Sequence, residues 1–464
     1  DGELVAHAVG YVGALSTADL ERLDAASYAG TSHTGTTGVE HFNEDLLHGD
    51  PGFQQVVTNA LGRQVPVETR DYADSAPESE SPVPGANIYL SLDLDLQRTA
   101  SNALEGRRGA VVAIDPRNGE ILALYSSPSF DPNSFATGMS PSEYNTMQND
   151  SDRPLFNRAV RGAYPPGSTI KPMLSLAALE VGATNLTRRS LCWGWYSLPG
   201  STHRYRDWRP EGHGEVDLHD AIEQSCDVYF YEISRDIGID NMHLYLDQFG
   251  LGRKTAIDMI GESEGLNPSR DWKRKAFRER ADQVWFPGET IIASIGQGYM
   301  LATPLQLANA TAALAARGQR FRPRLVAAFE DPLSGRRTLI APEPLQRVQI
   351  ENEFYWENVL LAMQDVMQSE TGTARASGLG APYQMAGKSG TAQVFTVAQD
   401  EEYDEEEIDE RLRDHALFIA FAPFEDPQIA VSVIVENGSS GSRIAAPIAR
   451  AVMDRFLGFA DDEL

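Results

Sequence analysis

Tyr164-Pro165-Pro166-Gly167-Ser168-Thr169-Ile170-Lys171-Pro172-Met173 is the stretch on which the reading of this 464-residue chain turns. The two prolines fix an extended approach and Gly167 permits a tight turn. Beyond it, Met173, Leu174, Leu176, Ala177, Ala178 and Leu179 continue to Gly182 as a helical pattern. Pro172 is tolerated only in an opening turn, whose N–H groups have no intrahelical partner, so a helix is predicted to start near Ser168. Free N–H groups and the helix dipole favour developing negative charge there. Residues three apart share a helix face, which brings the Lys171 amine within reach of the Ser168 hydroxyl. A serine is a weak nucleophile until a base activates it, and a neutral lysine can serve.

The scarcity of lysine sharpens this reading. Lysine and arginine together number 39, and only Lys171, Lys254, Lys273, Lys275 and Lys388 are lysines. Arginine does not lose its proton in a protein, whereas a buried lysine can. A lone Ser-x-x-Lys is more often a capped helix with a surface charge. Here two further patterns follow in order. Ser225-Cys226-Asp227 lies between an amphipathic stretch, 216–224, and the aromatic run Val228-Tyr229-Phe230-Tyr231. Lys388-Ser389-Gly390-Thr391 opens a strand-like run expected over 392–397.

This order resembles the motif set of serine-acylating penicillin-recognising enzymes, with Asp227 where asparagine is commoner and Lys-Ser-Gly-Thr in third place. Gly35-Thr36-Thr37-Gly38-Val39-Glu40, Leu46-Leu47-His48-Gly49, Arg204-Tyr205-Arg206-Asp207-Trp208 and Ile295-Gly296-Gln297-Gly298-Tyr299 extend the likeness over nearly the whole chain. Together they resemble class B penicillin-binding proteins, and among these the penicillin-binding protein 2 family. The resemblance implies a peptidoglycan D,D-transpeptidase of cell elongation and shape, acting on stem peptides that end in D-Ala-D-Ala and acylated by β-lactams, hence an antibiotic target. It implies Ser168 as nucleophile and Lys171 as its base, kept neutral by burial and by the charge of Lys388. Ser225 would relay the proton, with Asp227 orienting its loop. Ser389, Gly390 and Thr391 would bind the terminal carboxylate. A division-type transpeptidase, a D,D-carboxypeptidase or β-lactamase, and a β-lactam sensor or scaffold without turnover are the alternatives. No Glu-x-x-Leu-Asn pattern of class A lactamases is present.

The pattern of elements predicts an α+β fold. Residues 109–128 read as a hairpin around Asp115-Pro116-Arg117-Asn118-Gly119, with strands at 415–422 and 429–435 and a closing helix over 444–457. The resemblance implies a five-stranded antiparallel sheet sandwiched by helices, plus a helical subdomain holding Ser168 and Ser225. Residues 1–70 are expected to be part of a non-catalytic pedestal or dimerisation-type domain. The acidic, Ser/Pro-rich 71–87 is expected to be a linker, and 88–464 the transpeptidase domain.

A net charge of −28 argues against nucleic acid and anionic membrane surfaces as partners. Part of it lies in the runs 400–410 and 461–463, expected to be solvated loops. No apolar run reaches about 18 residues, the length of a membrane span. The resemblance implies an anchor to the bacterial inner membrane outside this chain, a periplasmic location, and as partners a membrane glycan polymerase and a shape-determining scaffold. The only cysteines are Cys192 and Cys226, with Asp207 and His213 between them. The residues alone leave a Cys192–Cys226 disulfide and a structural zinc site open. The resemblance implies zinc held by Cys226, His213 and Asp207, with Cys192 where an aspartate is usual, and no catalytic cofactor.

Overall fold

The computed structural model describes residues 2–24, 26–64, 78–395 and 408–460. The fold is organised around a five-stranded antiparallel sheet in the order Ala386–Ala392, His415–Ala422, Ile429–Val435, Gly109–Ile114, Ile121–Ser127. The hairpin predicted at 115–119 closes through Gly119 N–H to the Asp115 carbonyl, at 2.9 Å. Gly109–Ile114 and Ile429–Val435 are buried at every position, as a strand covered on both faces must be. On one face lies the helix Pro304–Ala315, whose twelve residues are all buried. The helices Leu94–Leu104 and Ala446–Phe456 cover the other. Each fully buried leucine or isoleucine in this sandwich contributes about 1.5–3 kcal/mol.

A helical subdomain abuts the edge strand Ala386–Ala392. It comprises Lys171–Glu180, Leu218–Glu223, Asp227–Ile237, Ile239–Gln248 and Glu353–Gln368. The amphipathic stretch at 216–224 is the helix Leu218–Glu223, opened by a capping box between Asp217 and Asp220. The closing helix begins at Ala446, after a wide turn over Gly441–Ala445.

The third motif sits differently from its prediction. Lys388 to Thr391 lie inside the strand, which ends at Ala392 instead of starting there. The neighbouring strand decides this, because Ala392 pairs with His415, its first residue, and among the described residues the ladder has no partner beyond. Thr396 and Val397 of the expected run lie outside the described residues.

At the N-terminal end, Gly2–Val9 packs on the Ile121–Ser127 strand and on Leu94–Leu104. Asn157 Nδ2 donates to the His7 carbonyl at 2.9 Å. Of the stretch expected to be a linker, 71–77 lies outside the described residues, Val83 bridges to Asp50, and Asn87–Leu90 joins a small sheet with Val326–Glu330. Of the acidic runs, 400–407 and 461–463 also lie outside the described residues. Among those described, no helix is long and apolar enough to cross a membrane.

Candidate active site

A 3-10 turn, Gly167–Ile170, leads straight into the helix Lys171–Glu180, so Ser168 stands at a helix start as its sequence predicts. Pro172 occupies the first turn, where it leaves no N–H unpaired. Two glycines let this turn lie against the Ala386–Ala392 strand. Gly167 has φ +56°, and a Cβ there would sit 2.6 Å from the Thr391 carbonyl oxygen. A Cβ on Gly390 would sit 2.8 Å from Thr169 Cγ2. The first and third motifs are therefore in contact.

Between them lies a buried pocket of two amines and one carboxylate. Lys171 and Lys388 are both fully buried. The Lys171 amine, expected against Ser168, donates to Asp227 Oδ1 at 2.6 Å, to the Ser225 carbonyl at 2.9 Å and to Ser225 Oγ at 3.4 Å. Lys388 donates to the same Ser225 Oγ at 2.8 Å and to the Ser389 carbonyl at 3.0 Å. Ser225 holds this shared position with φ +59°, a conformation uncommon outside glycine. Burial, and then the neighbouring Lys171, push the Lys388 amine well below its ordinary range, against the opposing pull of Asp227. Burial raises the Asp227 carboxyl, with Lys171 opposing and Asp207 adding to the rise. Among the described residues, Lys171 has the carboxylate beside it and Lys388 has none within hydrogen-bond distance.

Several supporting residues carried no chemistry in the sequence. Gly296 O accepts from Gly167 N–H at 2.9 Å, and Gln297 Nε2 donates to the Thr391 carbonyl at 2.9 Å, so the Ile295-to-Tyr299 stretch buttresses both walls. Thr373 Oγ1 lies 3.1 Å from Ser389 Oγ. Tyr164, just before the motif, donates to Glu436 Oε1 at 2.7 Å, and the same oxygen takes Arg158 Nε at 2.9 Å. Burial raises the Tyr164 phenol. Apart from Thr373 and Ser389, which are 16 residues apart, these partners lie 94 to 278 residues apart in the chain, beyond the reach of any local pattern.

On the far side of Ser225, the side chains of Cys192, Asp207, His213 and Cys226 converge, with donor atoms all within 4.8 Å of one another. Both thiols are free, so the disulfide alternative is not the arrangement found. Asp207 Oδ2 accepts the Asp227 and Val228 N–H groups at 2.8 and 3.1 Å, capping the helix that carries the second motif. It also lies 3.5 Å from each sulfur, and His213 Nδ1 lies 3.5 Å from Cys192 Sγ and from Asp207 Oδ1. Zinc bonds of about 2.0–2.3 Å in a tetrahedron imply ligand separations of roughly 3.3–3.8 Å, so this donor set fits that ion. Among the described residues, His213 Nε2 is buried without a hydrogen-bond partner. Trp208 ties this loop to the pocket, its N–H reaching Asp227 Oδ2 at 3.3 Å and its indole donating to the Gln224 carbonyl at 3.1 Å. Trp193, Trp195 and Trp208 keep exposed faces nearby.

Two family models match the chain: the penicillin binding protein transpeptidase domain over residues 109–454, and the penicillin-binding protein dimerisation domain over 1–90. The peptidoglycan D,D-transpeptidase MrdA of Acinetobacter baumannii is 45% identical over 98% of this chain, which spans 65% of that relative's length. Among solved structures, Pseudomonas aeruginosa PBP2 in complex with WCK 5153 superposes with a TM-score of 0.84 at 44% identity, covering 99% of this chain and 90% of that one. A complex between PBP2 and MreC from Helicobacter pylori gives 0.82 at 31% identity, covering 99% and 78%.

Proposed function

This chain belongs to the class B penicillin-binding proteins, and we propose that it cross-links peptidoglycan stem peptides as a serine D,D-transpeptidase of cell elongation. One observation carries the reading: Lys171, Ser225, Asp227 and Lys388, drawn from three separate motifs, meet at a single buried pocket, and the turn that carries Ser168 packs against the strand that carries Ser389 to Thr391. The donor peptide's terminal carboxylate binds the Ser389 and Thr391 hydroxyls, with Gly390 keeping the strand close. Its negative charge favours protonation of the adjacent Lys388. The proton comes from Lys171 along the shared Ser225 hydroxyl, which leaves Lys171 neutral. Lys171 then takes the Ser168 proton as the oxygen attacks the penultimate D-Ala carbonyl. The N–H groups of Ser168 and Thr391 stabilise the oxyanion, each worth about 3 kcal/mol. Ser225 returns a proton to the departing D-alanine amine, and an acceptor amine resolves the acyl-enzyme into a cross-link. β-Lactams stop at the acyl stage.

Zinc, when bound by Cys192, Asp207, His213 and Cys226, supplies structural cross-linking of this loop and no catalysis. Residues 1–70 serve as part of a pedestal, 71–87 as linker, and 88–464 as the transpeptidase domain. The chain is the periplasmic part of a protein anchored in the bacterial inner membrane, working with a glycan polymerase and a scaffold such as the MreC that accompanies the Helicobacter pylori relative. Fluorescent penicillin tests the reading. Ser168→Ala should abolish covalent labelling, and persistent labelling would refute Ser168 as nucleophile. Complementation of a strain lacking its elongation transpeptidase, by the wild type and not by Ser168→Ala, separates the enzyme from a scaffold.

A further inference from the structure

Three of the five lysines are buried, and the active-site pocket accounts for only two. The third, Lys273, is 3% exposed and sits inside a box of aromatic rings. Its amine lies 5.2 Å from the Phe286 ring centroid, 5.6 Å from Tyr299, and 5.8 Å from both Phe277 and Trp285. All four fall within the roughly 6 Å over which a cation is drawn to a ring face. Lys273 Nζ also donates to the Val284 carbonyl at 2.8 Å and to Glu289 Oε1. Glu289 in turn caps the helix Pro287–Ala293, accepting Phe286 N–H on its other oxygen at 2.8 Å. One amine thus fixes the start of that helix and, through Tyr299, the segment beyond its end.

What this segment carries gives the contact its consequence. Between the helix and Tyr299 lie Gly296, whose carbonyl holds Gly167 N–H, and Gln297, whose amide holds the Thr391 carbonyl. Just past Tyr299, Ala302 exchanges backbone hydrogen bonds of 2.8 and 3.0 Å with Tyr164. All three contacts touch the backbone on either side of the Ser168 and Thr391 N–H groups. We propose that Lys273 is a positioning residue for acylation: its cation, clamped by Glu289 and the aromatic box, sets the spacing of the two N–H groups that receive the oxyanion. The proposal rests on Ser168 being the acylated residue. Without the cation, Glu289 loses its partner, the 285–302 segment shifts, and the Ser168 turn separates from the Thr391 strand. A misplacement near 1 Å is enough to cost about a hundredfold in rate.

The test is stopped-flow acylation by a fluorescent penicillin, with non-covalent affinity and the first-order acylation constant resolved per active site. Lys273→Met keeps length and removes charge. It should lower the first-order constant about 10- to 100-fold, change affinity by less than about threefold, and leave the labelled fraction of folded protein high. Glu289→Gln should lower the same constant, and the double variant should be no slower than the worse single one. A purely structural role would reduce the labelled fraction and leave the constant unchanged, which overturns the proposal. Strictly additive losses also overturn it. If Lys273→Met does not fold, Glu289→Gln alone decides by the same constant. A wild type that does not label at all indicts the nucleophile assignment and not Lys273.

Discussion

The two clusters on either side of Ser225 each gather buried titratable side chains around one aspartate, and do so by opposite means. In the pocket, the two lysines are fully buried and share the Ser225 hydroxyl, while the one carboxylate, Asp227, takes Lys171 alone, so the two amines are frustrated. In the Cys192, Asp207, His213 and Cys226 cluster, the thiols, imidazole and carboxylate have compatible charges for a single cation, and Asp207 already caps a helix. The first arrangement suits chemistry and the second suits rigidity. Adjacent residues, Cys226 and Asp227, belong one to each, so the rigid cluster holds the frustrated one in place.

The largest break in this contrast is Lys171→Met. It should lower penicillin acylation by about 10²–10⁴, the range of a lost general base, while metal content stays at wild-type level. A loss under tenfold would mean that Lys388 and not Lys171 takes the serine proton. Cys226→Ser attacks the other cluster. Metal analysis should fall from about one equivalent to background, thermal unfolding should come at least about 5 °C earlier, and acylation should slow about tenfold through the loosened Ser225 loop. Wild-type protein carrying under about a tenth of an equivalent of zinc would reject the metal assignment.

Asp227 sharpens the comparison through pH. Its carboxyl is raised by burial, so its charged form, the one that holds Lys171, is lost as pH falls through that raised value. Acylation should therefore decline on the acid side at a higher pH than an ordinary aspartate allows. Asp227→Asn should slow the reaction about tenfold at neutral pH and remove that acid limb. An unchanged limb in the variant would assign it elsewhere. The smallest expected effect is Gln297→Ala, which frees the Thr391 carbonyl and should cost about three- to tenfold in the first-order constant, with metal content unaltered.

The pocket was legible wherever chemistry depends on neighbours in sequence. Gly167, Ser168, Lys171 and Pro172 specify one helix start, and the hairpin at 115–119 and the strands at 415–422 and 429–435 follow from short β-rich apolar runs and turn residues. Where a partner strand or a distant charge decides, the reading slipped. The third motif lies within its strand because His415 sets the end of the ladder. The contact of Lys171 with Asp227, 56 residues away, had no local signal. The scarcity of lysine was the one available signal for Lys273, and it carried no position for the amine.

By itself the sequence determined the helical setting of Ser168 and the order of the three motifs, because backbone sterics and short-range spacing act within a few residues. Only the tertiary structure decided which amine keeps a carboxylate, which oxygen both lysines share, and what buttresses Gly167 and Thr391. Those outcomes are set by burial and by distances between segments far apart in the chain, and burial and such distances exist only once the chain has closed on itself.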